Sequence, residues 1–293
     1  MKPAAFRYCR PATVEEALEA LAEHGEEAKV LAGGQSLVPL LNLRVIRPGV
    51  IVDVNGVDGL DQVVHENGAV RIGAMARQRR LELDGGVENR LPLLHEALGF
   101  VAHIPIRTRG TVGGSVAHAD PAAEIPAVTV ALGATMHVRG QDDARAIPAS
   151  DFYIGPFTTA ISPTELLVAI ELPALPQGAG WAFLEVARVH GAFALVGVAA
   201  LLHAADDGTL ADARLALCGV GGTPVAIPGV REIAAGEAPT EELFETLAEH
   251  VRKTIDPFTD TQASAEYRRE VAGALVVRAL RLASHRAGAE GKE

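Results

Sequence analysis

The chain has 293 residues, 48% hydrophobic and 22% charged, a balance that demands a packed core and excludes a disordered chain. Its 26 basic and 37 acidic residues give a net charge of −11, which repels phosphodiester backbones and anionic lipid and argues against a nucleic-acid partner. Cys9 and Cys218 lie far apart and offer neither a disulfide framework nor a cysteine-ligated cluster; with no hydrophobic leader and no run of 18 apolar residues, a cytoplasmic protein without a membrane span is expected.

In chain order, residues 13–24 place Val14, Ala17, Leu18, Leu21 and Ala22 on one helical stripe, with Thr13 and Glu16 spaced as a capping box and Gly25 as a stop. A strand at 29–32, a glycine corner, a short helix from Leu37 and a strand at 50–55 complete a small α/β unit. Residues 62–74 read as two β runs around an Asn67-Gly68 hairpin turn, and helices are expected over about 77–102. Strands at 134–138 and 165–172 follow a second glycine-rich passage. The breaker-rich stretch PALPQGAG, 173–180, marks a boundary. Beyond it, strands at 183–189, 193–204 and 213–221, with a turn at Asp207-Gly208, form a β-meander backed by helices near 240–254 and 264–286. The last seven residues, AGAEGKE, read as a frayed tail.

Two glycine corners carry the chemistry. In KVLAGGQSL, residues 29–37, Gly33 and Gly34 tolerate positive φ and Ser36 can cap a helix, so a tight turn suffices. The same amides and missing side chains also form a concave anion site. Residues 109–115, RGTVGGS, repeat the pattern with Thr111 and Ser115 as hydroxyl donors. Either the two corners are unrelated turns, or they clamp one diphosphate from opposite sides, each lending free backbone amides. Just beyond, Asp120 and Glu124 can accept hydrogen bonds from sugar hydroxyls, while Asp120 ahead of Pro121 also reads as a helix N-cap.

Rival motifs fare poorly. There is no GxxxxGK[ST], and GVGGTP at 219–224 reads as a strand-ending turn because Pro224 replaces the third glycine. Ser115 lacks a nucleophile elbow. His103 and His118 show no metal-ligand spacing, so no metal site and no catalytic acid or base is expected.

With AGGQSLVPLLNLR (32–44) and RGTVGGSVAHADPAAE (109–124), the chain resembles the FAD-binding medium subunit of the molybdenum hydroxylases, the xanthine dehydrogenase and aerobic carbon monoxide dehydrogenase family. KPAAFRYCRPATVEEAL, GPFTTAISPTELLVAIELP, FALVGVAA and DTQASAEYRREVAGALVVRAL resemble further family segments in family order. The resemblance implies an α+β protein with a two-part FAD-binding fold of the vanillyl-alcohol-oxidase (PCMH) type, at 1–55 and 56–175, and a C-terminal domain of the carbon monoxide dehydrogenase flavoprotein type at 176–293. It implies that Leu31, Ala32, Gly33, Gly34, Gln35, Ser36 and Leu37, with Thr111, Val112, Gly113, Gly114 and Ser115, hold the FAD diphosphate. It sets Asp120 and Glu124 toward the ribose and ribityl hydroxyls, and Leu167 at the cofactor. Relatives often carry a basic residue in the strand after the boundary and an acidic one before FALVG; here the stretch has Glu185 and Ala192, so flavin-ring contacts and NAD specificity do not transfer. The resemblance further implies an oxidoreductase subunit that takes electrons from 2Fe-2S clusters on a small partner, beside a large molybdopterin partner, in a dimer of heterotrimers. The implied substrate class is an N-heterocycle or purine, with carbon monoxide or an aldehyde as the alternative and a free-standing FAD oxidoreductase as a reading of another class.

Overall fold

The computed structural model describes residues 1–66 and 68–289. In the first unit, β1 (Arg7–Cys9), α1 (Val14–His24), β2 (Ala28–Leu31), α2 (Leu37–Asn42) and β3 (Val50–Asp53) form a parallel sheet in the order β1-β3-β2. All four residues of central β3, VIVD, are buried, as expected of a strand covered on both faces. Thr13 accepts from the Glu16 amide while Glu16 reaches back to the Ala12 amide at 2.7 Å, and Gly25 ends α1 at φ 49°. Strand β1 lies in a stretch that carries no alternating pattern and was not expected from the sequence.

The second unit opens with the hairpin of β4 (Val63–Glu66) and β5 (Ala69–Gly73), Glu66 opposite Ala69. Asn67 of the expected turn lies outside the described residues; Gly68 has φ 76°. The expected helical stretch is broken into α3 (Gln78–Glu82), α4 (Gly85–Arg90) and α5 (Pro92–Leu98), because Asp84 caps one piece and Pro92 begins another. Helices α6 (Ile104–Arg109), α7 (Val112–His118) and α8 (Glu124–Leu132) follow. Then come β6 (Thr135–Arg139), β7 (Ala144–Pro148), α9 (Ala149–Phe152), the small pair β8 (Tyr153–Gly155) and β9 (Thr158–Thr159), and β10 (Leu166–Pro173). The main sheet is antiparallel in the order β4-β5-β10-β6-β7.

The third unit is an antiparallel meander of β11 (Ala179–Ala187), β12 (Ala194–Ala204), β13 (Leu210–Cys218) and β14 (Val225–Ala226), backed by α10 (Val230–Ala234), α11 (Glu241–Thr254) and α12 (Ala265–Ala289). Helix α12 runs through residues 287–289 of the expected tail; 290–293 lie outside the described residues. One face of the meander, with Val198, Leu202, Leu215 and Leu217, packs under α11 and α12. The other, with Phe183, Leu201, Ala216 and Cys218, joins the core of the second unit. This alternation follows from the period of two along a strand. Gly180 lets α12 lie directly on β11, since a Cβ there would stand 1.8 Å from the Ala283 carbonyl oxygen. Arg286 closes the seam with a bidentate ion pair to Glu96 at 2.8 and 2.9 Å and a bond to the Trp181 carbonyl at 2.7 Å. Among the described residues no helix is long and apolar enough to cross a membrane.

The loop that leads to the second corner is fixed by buried Arg107, which grips Glu82 with both fork nitrogens at 2.8 and 2.9 Å and the carbonyls of Val101 and Ala102 at 2.7 and 3.2 Å. Removing it leaves the two carbonyls without their donor and the Glu82 carboxylate with Arg79 alone, at 2.8 Å. Arg107→Met should lower the urea-unfolding free energy by about 3 kcal/mol, the scale for breaking a buried pair from one side. Arg281→Met, which removes a solvent-exposed pair with Glu241, should leave the midpoint unchanged.

Candidate functional site

The first corner leaves β2 after Leu31 and enters α2 at Leu37. Gly34 adopts φ 74°, a left-handed value at which a side chain is strained, and the Gln35 side chain donates to the Gly33 carbonyl at 3.0 Å. Ser36 does not cap the helix as expected: its backbone is already helical, and its side chain makes no capping bond. Among the described residues, the amides of Gly33, Gly34, Gln35, Ser36 and Leu37 have no acceptor. Grouped donors of this kind suit an anion with several oxygens.

The second corner is built differently, and here the structure corrects the sequence reading. Thr111 is the N-cap of α7, its hydroxyl oxygen accepting from the Gly114 amide at 2.9 Å. The amides of Val112, Gly113 and Ser115 donate to the carbonyls of Ala76, Ala74 and Thr111 at 3.0, 2.9 and 3.2 Å. The backbone donors expected to be free are therefore engaged. Gly113 serves packing, since a Cβ there would lie 2.5 Å from the Cβ of Ala74. What this corner can offer outward is the half-buried hydroxyl of Ser115, since Thr111 is buried with its hydroxyl on the helix cap.

The two corners touch. A Cβ on Gly33 would stand 2.4 Å from the Arg109 carbonyl oxygen and 2.8 Å from the Gly110 Cα, and one on Gly114 would meet the Ala32 Cβ at 3.5 Å. Leu167 lies beside them: the Val168 carbonyl receives the Ala74 amide at 3.0 Å, and the Leu167 side chain is buried in the core. Two residues that sequence reasoning missed join the corners. Asn55 donates to the Ala32 carbonyl at 2.8 Å and receives the Arg77 guanidinium at 2.7 Å, while Arg77 also donates to the Arg109 carbonyl. No sequence motif announces this link, because it is a property of the tertiary arrangement alone.

Beyond the second corner, Asp120 does not cap a helix at Pro121 as one reading expected. It accepts from the Ala122 amide at 2.9 Å in a local turn, and α8 starts only at Glu124 with Ala123 as its N-cap. Glu124 is buried, and burial pushes its carboxyl up to about 7, with Asp120 adding to the rise and Arg107 opposing it. Glu185 on β11 sits directly across from Gly197, and Gly197 across from Cys218, so the three share one face. That face packs toward α8. Burial pushes Glu185 up to about 8, the charge of Glu124 adding to it, and its Oε2 is buried without a hydrogen-bond partner. Glu185, flagged above as a departure from the family, is thus coupled to an expected site residue. Ala192 lies in a turn, its amide bonded to the Val189 carbonyl at 3.1 Å. Neither histidine weighed above joins a metal centre: His118 packs on Phe157 and His103 on His190, and among the described residues no cluster of potential metal ligands occurs.

Comparison with known proteins adds independent findings. Residues 4–175 match the FAD binding domain in molybdopterin dehydrogenase, and residues 181–283 match the CO dehydrogenase flavoprotein C-terminal domain. The caffeine dehydrogenase subunit beta of Pseudomonas sp. strain CBB1 is 41% identical over 98% of this chain and 97% of its own. The carbon monoxide dehydrogenase medium chain of Hydrogenophaga pseudoflava is 35% identical over 97% of this chain and 98% of its own. Among solved structures, carbon monoxide dehydrogenase from Hydrogenophaga pseudoflava superposes with a TM-score of 0.95 at 35% identity, covering 98% of this chain and 99% of that one. Quinoline 2-oxidoreductase from Pseudomonas putida 86 gives a TM-score of 0.93 at 36% identity, with 98% and 99% covered.

The raised carboxyls make stability depend on pH. Each binds its proton more tightly folded than unfolded, so their contribution is complete below the ordinary glutamate value and fades as pH climbs toward about 7 and 8. Glu185→Gln removes one proton-binding site and the like-charge neighbour of Glu124. The variant's melting temperature should therefore exceed that of the parent by a margin that grows from pH 5 to pH 8 and then levels off, reaching about 3 °C because Glu185 keeps partial solvent access. A margin that does not change with pH contradicts the coupling.

Proposed function

The chain belongs to the family of FAD-binding medium subunits of the molybdenum hydroxylases, and on that footing we propose that it is the electron-transfer subunit of a heterotrimeric, molybdopterin-dependent dehydrogenase of N-heterocycles. The observation that carries the reading is the meeting of two glycine corners around five unengaged backbone amides. FAD, when bound, supplies a carrier that accepts electrons and passes them to an external acceptor. The chain supplies the hold. Gly33 to Leu37 direct their amides at the diphosphate, with Leu31 and Ala32 forming the entry to the corner. Ser115 adds a hydroxyl, while Thr111, Val112, Gly113 and Gly114 shape the facing wall. Asp120 and Glu124 lie toward the ribose and ribityl hydroxyls, where a carboxyl near half protonation at neutral pH can donate as well as accept. Leu167 presents backbone beside the same wall.

The division of labour follows from what the chain lacks the means to do. Cys218 is buried and Cys9 lies on β1, too few thiols for an iron-sulfur cluster. We therefore assign the 2Fe-2S clusters to a small partner and the molybdopterin to a large one, in a cytoplasmic dimer of heterotrimers. The units at 1–55 and 56–175 carry the cofactor, and 176–293 forms the C-terminal domain. The N-heterocycle class is supported by the named substrates of the caffeine and quinoline relatives.

Co-expression with a large molybdopterin subunit and a small 2Fe-2S subunit from the same source should yield a complex with one FAD per copy of this chain together with iron and molybdenum. Gly33→Ala should lose FAD almost completely, because the added Cβ falls 2.4 Å from the Arg109 carbonyl oxygen and forces the corners apart, while iron and molybdenum stay with the partners. A complex without FAD in the parent, or full FAD occupancy in Gly33→Ala, overturns the assignment.

A further inference from the structure

The side chain of Arg77 lies between the two glycine corners. Its Nη2 donates to Asn55 Oδ1 at 2.7 Å and its Nη1 to the Arg109 carbonyl oxygen. Asn55 passes the link on through Nδ2 to the Ala32 carbonyl at 2.8 Å, and Asp53 holds Asn55 from below, receiving its Nδ2 at 2.5 Å and its amide at 3.0 Å. Tyr8 in turn donates to Asp53. A continuous hydrogen-bonded strut therefore runs from the carbonyl of one corner to the carbonyl of the other. Arg77 and Thr111 also pair as an isolated antiparallel β-bridge, so the same residue fixes the second corner through its backbone.

Arg77 is half buried, and burial lowers its affinity for the proton, with the neighbouring charge of Arg109 lowering it further; Asp53 and Asp61 oppose both effects. Arg109 is exposed and forms no ion pair among the described residues. Two like charges thus stand close together at the meeting point of the corners, in a chain whose net charge is −11. An anion at that point relieves the repulsion and compensates the buried guanidinium. The first glycine corner, whose amides are unengaged, adjoins this point through the contact of Gly33 with the Arg109 carbonyl.

Building on the cofactor reading above, we propose that Arg77 is the positioning residue of the diphosphate site, setting the gap between the corners through Asn55 and the Arg109 carbonyl while its charge, with that of Arg109, offsets the diphosphate. Two features distinguish this from a purely architectural role. The fork geometry matters, because Arg77 reaches Asn55 and the Arg109 carbonyl from two separate nitrogens held in one plane, a spacing the single Nζ of a lysine does not reproduce. The charge matters too, because it acts on the diphosphate and on no other part of the cofactor.

The test uses the full-length chain, stripped of flavin and titrated with FAD, with riboflavin, and with inorganic pyrophosphate as a competitor of FAD. For Arg77→Met, FAD binding should weaken by about 30-fold, pyrophosphate competition should weaken in parallel, and riboflavin, which carries no phosphate, should change by less than about twofold. Arg77→Lys should fall between the parent and Arg77→Met for FAD, keeping the charge and losing the fork. Asn55→Leu should weaken FAD by about fivefold, and adding it to Arg77→Met should cost nothing further, because both break one strut. The melting temperature of the flavin-free chain provides the fold check. FAD affinity unchanged in Arg77→Met, or FAD and riboflavin weakened equally, overturns the proposal. Failure of the parent chain to bind FAD both alone and assembled with its partners overturns the cofactor reading itself, an outcome separate from any effect of the Arg77 variants. Should Arg77→Met not fold, the ratio of FAD to riboflavin affinity in Arg77→Lys and Asn55→Leu decides the matter by the same criterion.

Discussion

Everything in the site depends on one backbone-to-backbone approach. Gly33 packs against the carbonyl of Arg109 at a separation that leaves no room for a side chain, and this contact joins a turn of the first unit to a turn of the second. The parallel sheet holds one side of the contact, because Asp53 at the end of β3 and Asn55 in the turn after it support the first corner. On the other side, β5 and the start of α7 hold it through the amides that bond Ala74 and Ala76. Two sheets of different construction, one parallel and one antiparallel, are therefore locked into a single surface by a residue whose contribution is the absence of a Cβ.

The corners divide the work. The first keeps its amides open, and the second uses them to cap and dock a helix. A sequence cannot reveal this difference, because both stretches carry adjacent glycines beside hydroxyl residues. Whether an amide is open is set by the carbonyl that faces it, and Ala74 and Ala76 are more than thirty residues away from the corner they satisfy. Residue type carries local preference, while hydrogen-bond state is assigned by topology.

The same reasoning explains what the chain made legible and what it concealed. Helix α1 was readable from its stripe, its capping box and Gly25, all local signals. The meander was readable from three long apolar runs separated by turn residues, and its inward and outward faces follow the alternation of those runs. Strand β1 was hidden, because three residues at an edge owe their conformation to pairing with β3. The Asp120 region misled, because Asp-Pro is a strong local start signal, yet Asp120 closes a local turn on the Ala122 amide and the helix begins only at Glu124. Of the site, the two corners and the acidic residues stood out by composition. Asn55 and Arg77, which connect the corners, did not, since neither belongs to a spacing that chemistry would demand in sequence. The coupling of Glu185 to Glu124 was equally invisible, being made by the packing of one unit on another.

The bond between Arg286 and Glu96 spans 190 positions of the chain. During synthesis a ribosome delivers Glu96 long before its counterpart, and α5 must wait with an uncompensated carboxylate until almost the whole polypeptide has emerged. Closure of the seam between the second and third units is consequently a late event in biogenesis, and the nascent protein reaches its final form only when its last helix docks.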